Sequence, residues 1–135
     1  MTRRETKTDS AALSIALVTI AAILVSLTQV FAGEADVVDA KARRESAGEW
    51  RFDVTVRHAD EGWDHYADKW IVAGTDGAIY GERVLTHPHV DEQPFTRSQS
   101  GIVVPRDIAA VVIRAHDSVH GFGGAEFTVD LDALR

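Results

Sequence analysis

The 135 residues include no cysteine, which excludes a disulfide framework and any metal site built on thiolates. Asp and Glu outnumber Lys and Arg by 21 to 14, and this negative balance argues against nucleic acid as a partner. The only methionine is Met1, so the thioether ligands that suit Cu(I) are also missing.

The first 32 residues have the pattern of an export signal. Basic residues precede an apolar run at residues 11–30, and small Ala32 stands at a plausible cleavage position. We predict a signal peptide over residues 1–32 and a periplasmic or extracellular mature protein, residues 33–135, that forms a single β-sandwich domain. The alternative is an uncleaved inner-membrane anchor, because 20 apolar residues can just span a bilayer.

The mature part has the pattern of an all-β protein. The strongest signal lies at residues 49–58, where Trp50, Phe52, Val54 and Val56 alternate with polar residues. Six further short segments alternate in the same way and are separated by Gly, Pro and Asp turn signals. They are the segment around Val38, Ala40 and Ala42 and residues 66–73, 78–85, 95–104, 110–116 and 125–131. This spacing predicts a seven-stranded antiparallel β-sandwich.

Two local features resemble known sandwich domains. Residues 113–124, in which Arg114-Ala115 precedes a polar loop with several glycines, resemble the F–G hairpin of fibronectin type III domains. Trp70, on the third predicted strand, resembles the buried tryptophan of immunoglobulin-like sandwiches. Together with the export segment, His87-Pro88-His89 and the loop from His116 also resemble small exported bacterial proteins of unassigned activity. These resemblances imply an immunoglobulin or fibronectin III-like architecture and no particular function.

The histidines are predicted to gather at one end of the sandwich. If the seven strands run alternately up and down, the loops after the second, fourth and sixth strands lie together. These loops and the adjoining strand ends carry His58, His65, His87, His89, His116 and His120. Three or four imidazoles suit Zn(II) or Cu(II) without any thiolate, and Asp117 could add a carboxylate. The sequence therefore predicts a site for one of these ions.

His87-Pro88-His89 is the most local part of this prediction. Side chains two residues apart in an extended segment point to the same side, so both imidazoles could reach one ion. We therefore expect metal binding to be lost when both histidines are replaced by alanine. His116 presents a difficulty, because alternation places it on the face opposite Ile113, whereas His58 continues the inward face of its strand.

Two other kinds of function are compatible with the same loops. A non-catalytic interaction module would use them to bind a protein or glycan partner, with the histidines acting only as polar contacts. Acid–base hydrolysis is the third class, but the sequence has no nucleophile elbow and no HExxH motif, so no catalytic residue is predicted.

Overall fold

A computed structural model describes residues 33–135, and the predicted export segment, 1–32, lies outside these residues. The described part is all-β and ends in a short 3-10 turn, Asp132–Leu134. Within it, no helix is long and apolar enough to cross a membrane. The strands are β1 (Asp36–Ser46), β2 (Glu49–Arg57), β3 (Ala67–Ala73), β4 (Ile79–Val84), β5 (Phe95–Val103), β6 (Ala110–Asp117), β7 (Gly121–Phe122) and β8 (Phe127–Asp130).

The strands form two antiparallel sheets. One sheet has the order β1-β2-β5, and the other has the order β4-β3-β6, with β7 and β8 both paired to the far edge of β6. The predicted antiparallel β-sandwich is thereby confirmed. The structure has eight strands rather than seven, because the chain pairs briefly with β6 at Gly121–Phe122 before it forms β8.

The core lies between the two sheets and follows from the alternation in the sequence. Trp50, Phe52, Val54 and Val56 are all essentially buried, as predicted for the inward face of β2. Trp70 on β3 is fully buried in the same core. Apolar side chains at every second position of facing sheets supply the area whose burial stabilises the fold.

The first strand departs from the predicted alternation. A register shift between Val37 and Asp39 brings Val37 rather than Val38 into the core, and Ala40 follows it. An extra residue in one strand of an antiparallel pair reverses the faces of the residues before it. The prediction that Val38 faces the core is therefore wrong, whereas the strand itself is present.

The strand registers define one end of the sandwich, which we call the histidine end. There β2 finishes beside the start of β5, through the pair Val56 and Phe95, and β6 finishes beside the start of β3, through Asp117 and Ala67. The loops at this end span residues 58–66, 85–94 and 118–120. All six histidines lie in these loops or at the strand ends next to them.

Candidate metal centre

Two strands, one from each sheet, direct polar side chains inward at the histidine end. On β6 the buried series Val111, Ile113 and Ala115 continues to Asp117, whose side chain is fully buried. On β2 the inward series continues past the last strand residue to His58, whose side chain is also fully buried. The period of two therefore places an imidazole and a carboxylate where the two sheets face each other.

The loop between β2 and β3 adds a second imidazole. His65 Nε2 lies 3.2 Å from His58 Nε2 and 3.3 Å from Asp117 Oδ1. His58 Nε2 and Asp117 Oδ2 are 4.0 Å apart. One ligand atom from each of these three buried residues lies within 4.8 Å of the others. We call His58, His65 and Asp117 the buried triad.

Asp60 fixes the orientation of His58. Its Oδ1 accepts hydrogen bonds from His58 Nδ1 at 2.6 Å and from the backbone N–H of Ala67 at 3.0 Å, and its Oδ2 accepts from the backbone N–H of His89 at 2.7 Å. Because a carboxylate oxygen acts as an acceptor, Nδ1 is the donor of this pair and carries the proton of a neutral His58. The lone pair of Nε2 then points into the buried triad, as in carboxylate–histidine–metal arrangements.

Asp117 is held as a carboxylate although it is buried. Burial raises the pKa of Asp117. This effect is outweighed by hydrogen bonds from the backbone N–H groups of His120 and Val119 and by the charges of His120 and His58, so the net shift of the pKa is downward. Both N–H groups donate to Oδ1, at 2.7 and 2.9 Å. Oδ2 has no hydrogen-bond partner among the described residues. An ionised buried oxygen without a donor is costly unless a cation or a proton reaches it.

His120 borders the buried triad on its solvent side. Its Nδ1 lies 3.2 Å from Asp117 Oδ1, and its ring contacts the ring of His65 with centroids 5.0 Å apart. The side chain of His120 is 37% exposed, compared with 11% for His65. The cluster is therefore closed towards the core and open where His120 stands, which gives an ion a route of entry.

His87 and His89 lie outside the buried triad. Their rings are near each other, with centroids 4.5 Å apart, as expected for two residues on one side of the chain. However, the ring of His89 stacks on Phe95, and Arg97 Nη2 donates to His89 Nε2 at 3.0 Å. The pKa of His89 is lowered, first by burial and then by the charges of Arg97 and His87. The negative charges of Asp60 and Glu92 raise this pKa, but by less.

His116 faces away from the buried triad, as its alternation predicts. Its Nδ1 lies 2.5 Å from Asp68 Oδ1, and its ring meets Phe122 edge-on. No reorientation of His116 occurs, because Asp117, the next residue, provides the inward ligand from β6. Of the seven predicted ligands, the structure brings together His58, His65 and Asp117 with His120 beside them, and leaves His87, His89 and His116 apart.

No family model and no solved structure matches the chain. A protein of Halomicrobium mukohataei described as "Putative lipoprotein" is 42% identical over 100 residues. The match covers 74% of this chain and 49% of that protein. The chain thus spans about half the length of the relative to which it is similar.

Proposed function

We propose that the protein binds a divalent transition-metal ion through the buried triad, His58, His65 and Asp117, with His120 as a fourth, outer ligand. The observation that carries the proposal is the orientation of His58: Asp60 holds its Nδ1 proton, and its Nε2 lone pair is directed at His65 and Asp117. Asp117 Oδ2, which has no hydrogen-bond partner within residues 33–135, gives further support, because a cation would compensate its buried negative charge.

The separations favour Zn(II) over Cu(II). Ligands bound at 2.0–2.1 Å in a tetrahedron lie about 3.3–3.4 Å apart, whereas tetragonal Cu(II) places neighbouring ligands closer. His65 Nε2 lies 3.2 Å from His58 Nε2 and 3.3 Å from Asp117 Oδ1, and both distances are close to this tetrahedral spacing. The other carboxylate oxygen of Asp117, Oδ2, lies 4.0 Å from His58 Nε2, so Asp117 would have to shift to present one oxygen to both imidazoles.

The partial closure of the site favours carriage, buffering or sensing of the ion over a purely structural role. Structural zinc sites have four firmly held protein ligands, whereas here the fourth candidate, His120, is on the surface. The relative's description as a lipoprotein supports an exported, membrane-associated setting, where such a function would meet ions from outside the cell.

Isothermal titration of Zn(II) and Cu(II) into the untagged protein at neutral pH tests the proposal. We expect one site of submicromolar affinity. His65→Ala should weaken binding by more than about 100-fold, because loss of an outer-shell partner alone costs 10–100-fold. His116→Ala is the matched control, since this histidine lies at the same end but faces away from the triad.

The variant in which both His87 and His89 become alanine distinguishes the two sets of histidines. Binding that persists in this variant and is lost in His65→Ala supports the buried triad. Binding that is lost with His87 and His89 but survives His65→Ala would place the ion at the His-Pro-His segment instead. Weak, multisite binding that ignores both changes would contradict metal binding altogether.

Exposed apolar side chains at the histidine end support a second candidate, an interaction module for a protein or glycan. Each loop there presents one such residue: Trp63 is 67% exposed, Val90 56% and Val119 58%. A flat aromatic face with neighbouring aliphatic side chains is suited to such partners. Partner binding that survives a strong chelator and is lost in Trp63→Ala would favour this function.

A further inference from the structure

The end of the sandwich opposite the histidines contains a cavity rich in arginine. It has a volume of about 290 Å³ and lies between the β1–β2 turn, the β5–β6 loop and the C-terminal segment. Its lining residues are Arg44, Gly48, Trp50, Val104, Arg106 and Arg135. We call it the arginine cavity. It takes no part in the candidate metal centre.

Arg44 reaches this cavity from the core-facing side of its sheet. It is paired across the strands with Trp50, and such partners point to the same face. Trp50 is 2% exposed and forms the inner wall, so Arg44 takes the place at the sheet end where an apolar residue would close the core. Arg43, the neighbouring residue, points to the other face and is not part of the lining.

In the part of the chain that the structure describes, two of the three guanidinium groups have no protein partner. Within residues 33–135, neither Arg44 nor Arg106 makes a side-chain hydrogen bond or an ion pair. Arg135, by contrast, is paired with Asp132 and donates to the backbone carbonyl of Ile108 at 2.7 Å. The cavity therefore has one fixed guanidinium, neutralised by its partner, and two whose charge is not balanced.

This concentration of positive charge stands out against the composition. Residues 33–135 contain 11 basic and 19 acidic residues, yet the lining includes three arginines and no acidic residue. Arginine presents a rigid fork of donors that matches the oxygens of carboxylate, phosphate and sulfate groups. Two guanidinium groups that line one cavity attract an anion through their positive charge.

We propose that the arginine cavity binds a small oxyanion, held by Arg44 and Arg106 against the wall formed by Trp50. The volume sets the size of the ligand. It equals about ten water molecules at roughly 30 Å³ each, which is the lower end of the range for small-molecule sites. The cavity therefore accommodates an inorganic oxyanion with its water or a single acidic sugar.

Titration of the metal-free protein with inorganic phosphate and, separately, with glucuronate tests this proposal by calorimetry at low ionic strength. Glucose serves as the neutral counterpart of glucuronate. We expect saturable binding of at least one anion at a single site and none of glucose. Phosphate binding alone assigns an inorganic ligand, and glucuronate binding alone assigns an organic acid.

The double variant R44Q/R106Q should weaken this binding by at least about tenfold, and Arg43→Gln should leave it unchanged. Arg43→Gln is a control for position 44, because it removes one positive charge from the adjacent residue, which lies outside the cavity. All three residues are exposed, so the variants should keep the melting temperature of the parent protein. Absence of saturable binding by both anions, or an equal loss in Arg43→Gln, would overturn the proposal.

Discussion

At the scale of the single residue, Asp60 has the most consequential contacts in the candidate metal centre. Its buried carboxylate orients His58. It also accepts hydrogen bonds from the backbone N–H of Ala67 on β3 and from that of His89 in the β4–β5 loop. Asp60 is not among the three residues whose ligand atoms come together, so it is a positioning residue. Its effect on the metal passes through the tautomer and ring orientation of His58.

Asp60→Asn should weaken Zn(II) binding by about 10–100-fold while the fold persists. The NH2 group of the amide cannot accept a hydrogen bond, so at least one of the three groups that now donate to Asp60 would lose its acceptor. An unsatisfied buried group costs about 1–3 kcal/mol. Calorimetry and near-UV circular dichroism below the melting temperature check both parts. Asp64→Asn, in an exposed position of the same loop, is the control, and an unchanged affinity in Asp60→Asn would contradict the role.

His89 should make the folded state sensitive to mild acid. Its pKa is lowered on folding, first by burial and then by Arg97 and His87. The unfolded chain therefore binds more protons, so stability is full above the ordinary pKa of about 6.5 and falls as the pH drops towards the folded value.

In His89→Gln this contribution disappears. Chemical unfolding of the metal-free protein between pH 7.5 and 5.5 should show a smaller loss of stability in the variant than in the parent. The difference should not exceed about 1.4 kcal/mol per pH unit, the limit for one proton. Identical pH dependence of the two proteins would show that His89 does not contribute.

At the scale of the element, the alternation of buried residues was the most informative signal in the sequence. It identified β2 and β6 and their inward faces, and one further step along β6 leads to Asp117, which follows Ala115 by two residues. The same alternation gives Asp117, one of the seven predicted ligands, its inward direction and leaves His116 on the outward face. The role of Asp60 had no such signal, because it depends on how three loop and strand segments meet.

The separate short strand β7, which pairs with β6 before β8 begins, could not be predicted from the sequence either. Gly121–Phe122 is only two residues long, and its pairing with His116 and Asp117 is decided by the neighbouring chain rather than by local preference. Similarly, the shift at Val37 has no distinctive residue, since Val37 and Val38 are equally suited to a core. Packing against the rest of the molecule determines both the pairing of β7 and the register shift at Val37.

The start of β1 is tied to the segment before β8 by close backbone contact. Val37 N–H donates to the carbonyl of Ala125, and a Cβ at Gly124 would lie 2.1 Å from the carbonyl oxygen of Ala35. Gly124→Ala should therefore lower the free energy of unfolding by about 2 kcal/mol or more, as measured by denaturant titration. At Gly123 the added carbon would meet only the movable Glu34 side chain, so Gly123→Ala should cost less. Equal losses would contradict this account.

At the scale of the whole molecule, the candidate centre joins the two sheets. His58 extends from β2 in one sheet, and Asp117 ends β6 in the other, while His65 belongs to the loop that crosses between them. An ion held by all three would connect the sheets at an end where their apolar packing gives way to polar side chains.

Zn(II) should consequently stabilise the entire sandwich rather than one loop. At a free ion concentration 100 times the dissociation constant, linkage gives about 2.7 kcal/mol, which should raise the melting temperature by about 10 °C or more. Calorimetric melting with and without ion measures this, and His65→Ala should lose the increment. A parent protein whose melting temperature ignores the ion would contradict binding to the folded state.

The long outer strand β1 has a further consequence for behaviour at high concentration. An unpaired strand edge is a template for sheet extension between copies, and proteins oppose this with bulges and charged side chains. β1 has register shifts near both of its ends, and between them it carries Asp39, Lys41, Arg43 and Arg44. Irregular ends and charged side chains disfavour regular pairing with a second strand, so this edge opposes fibrous aggregation of the folded chain.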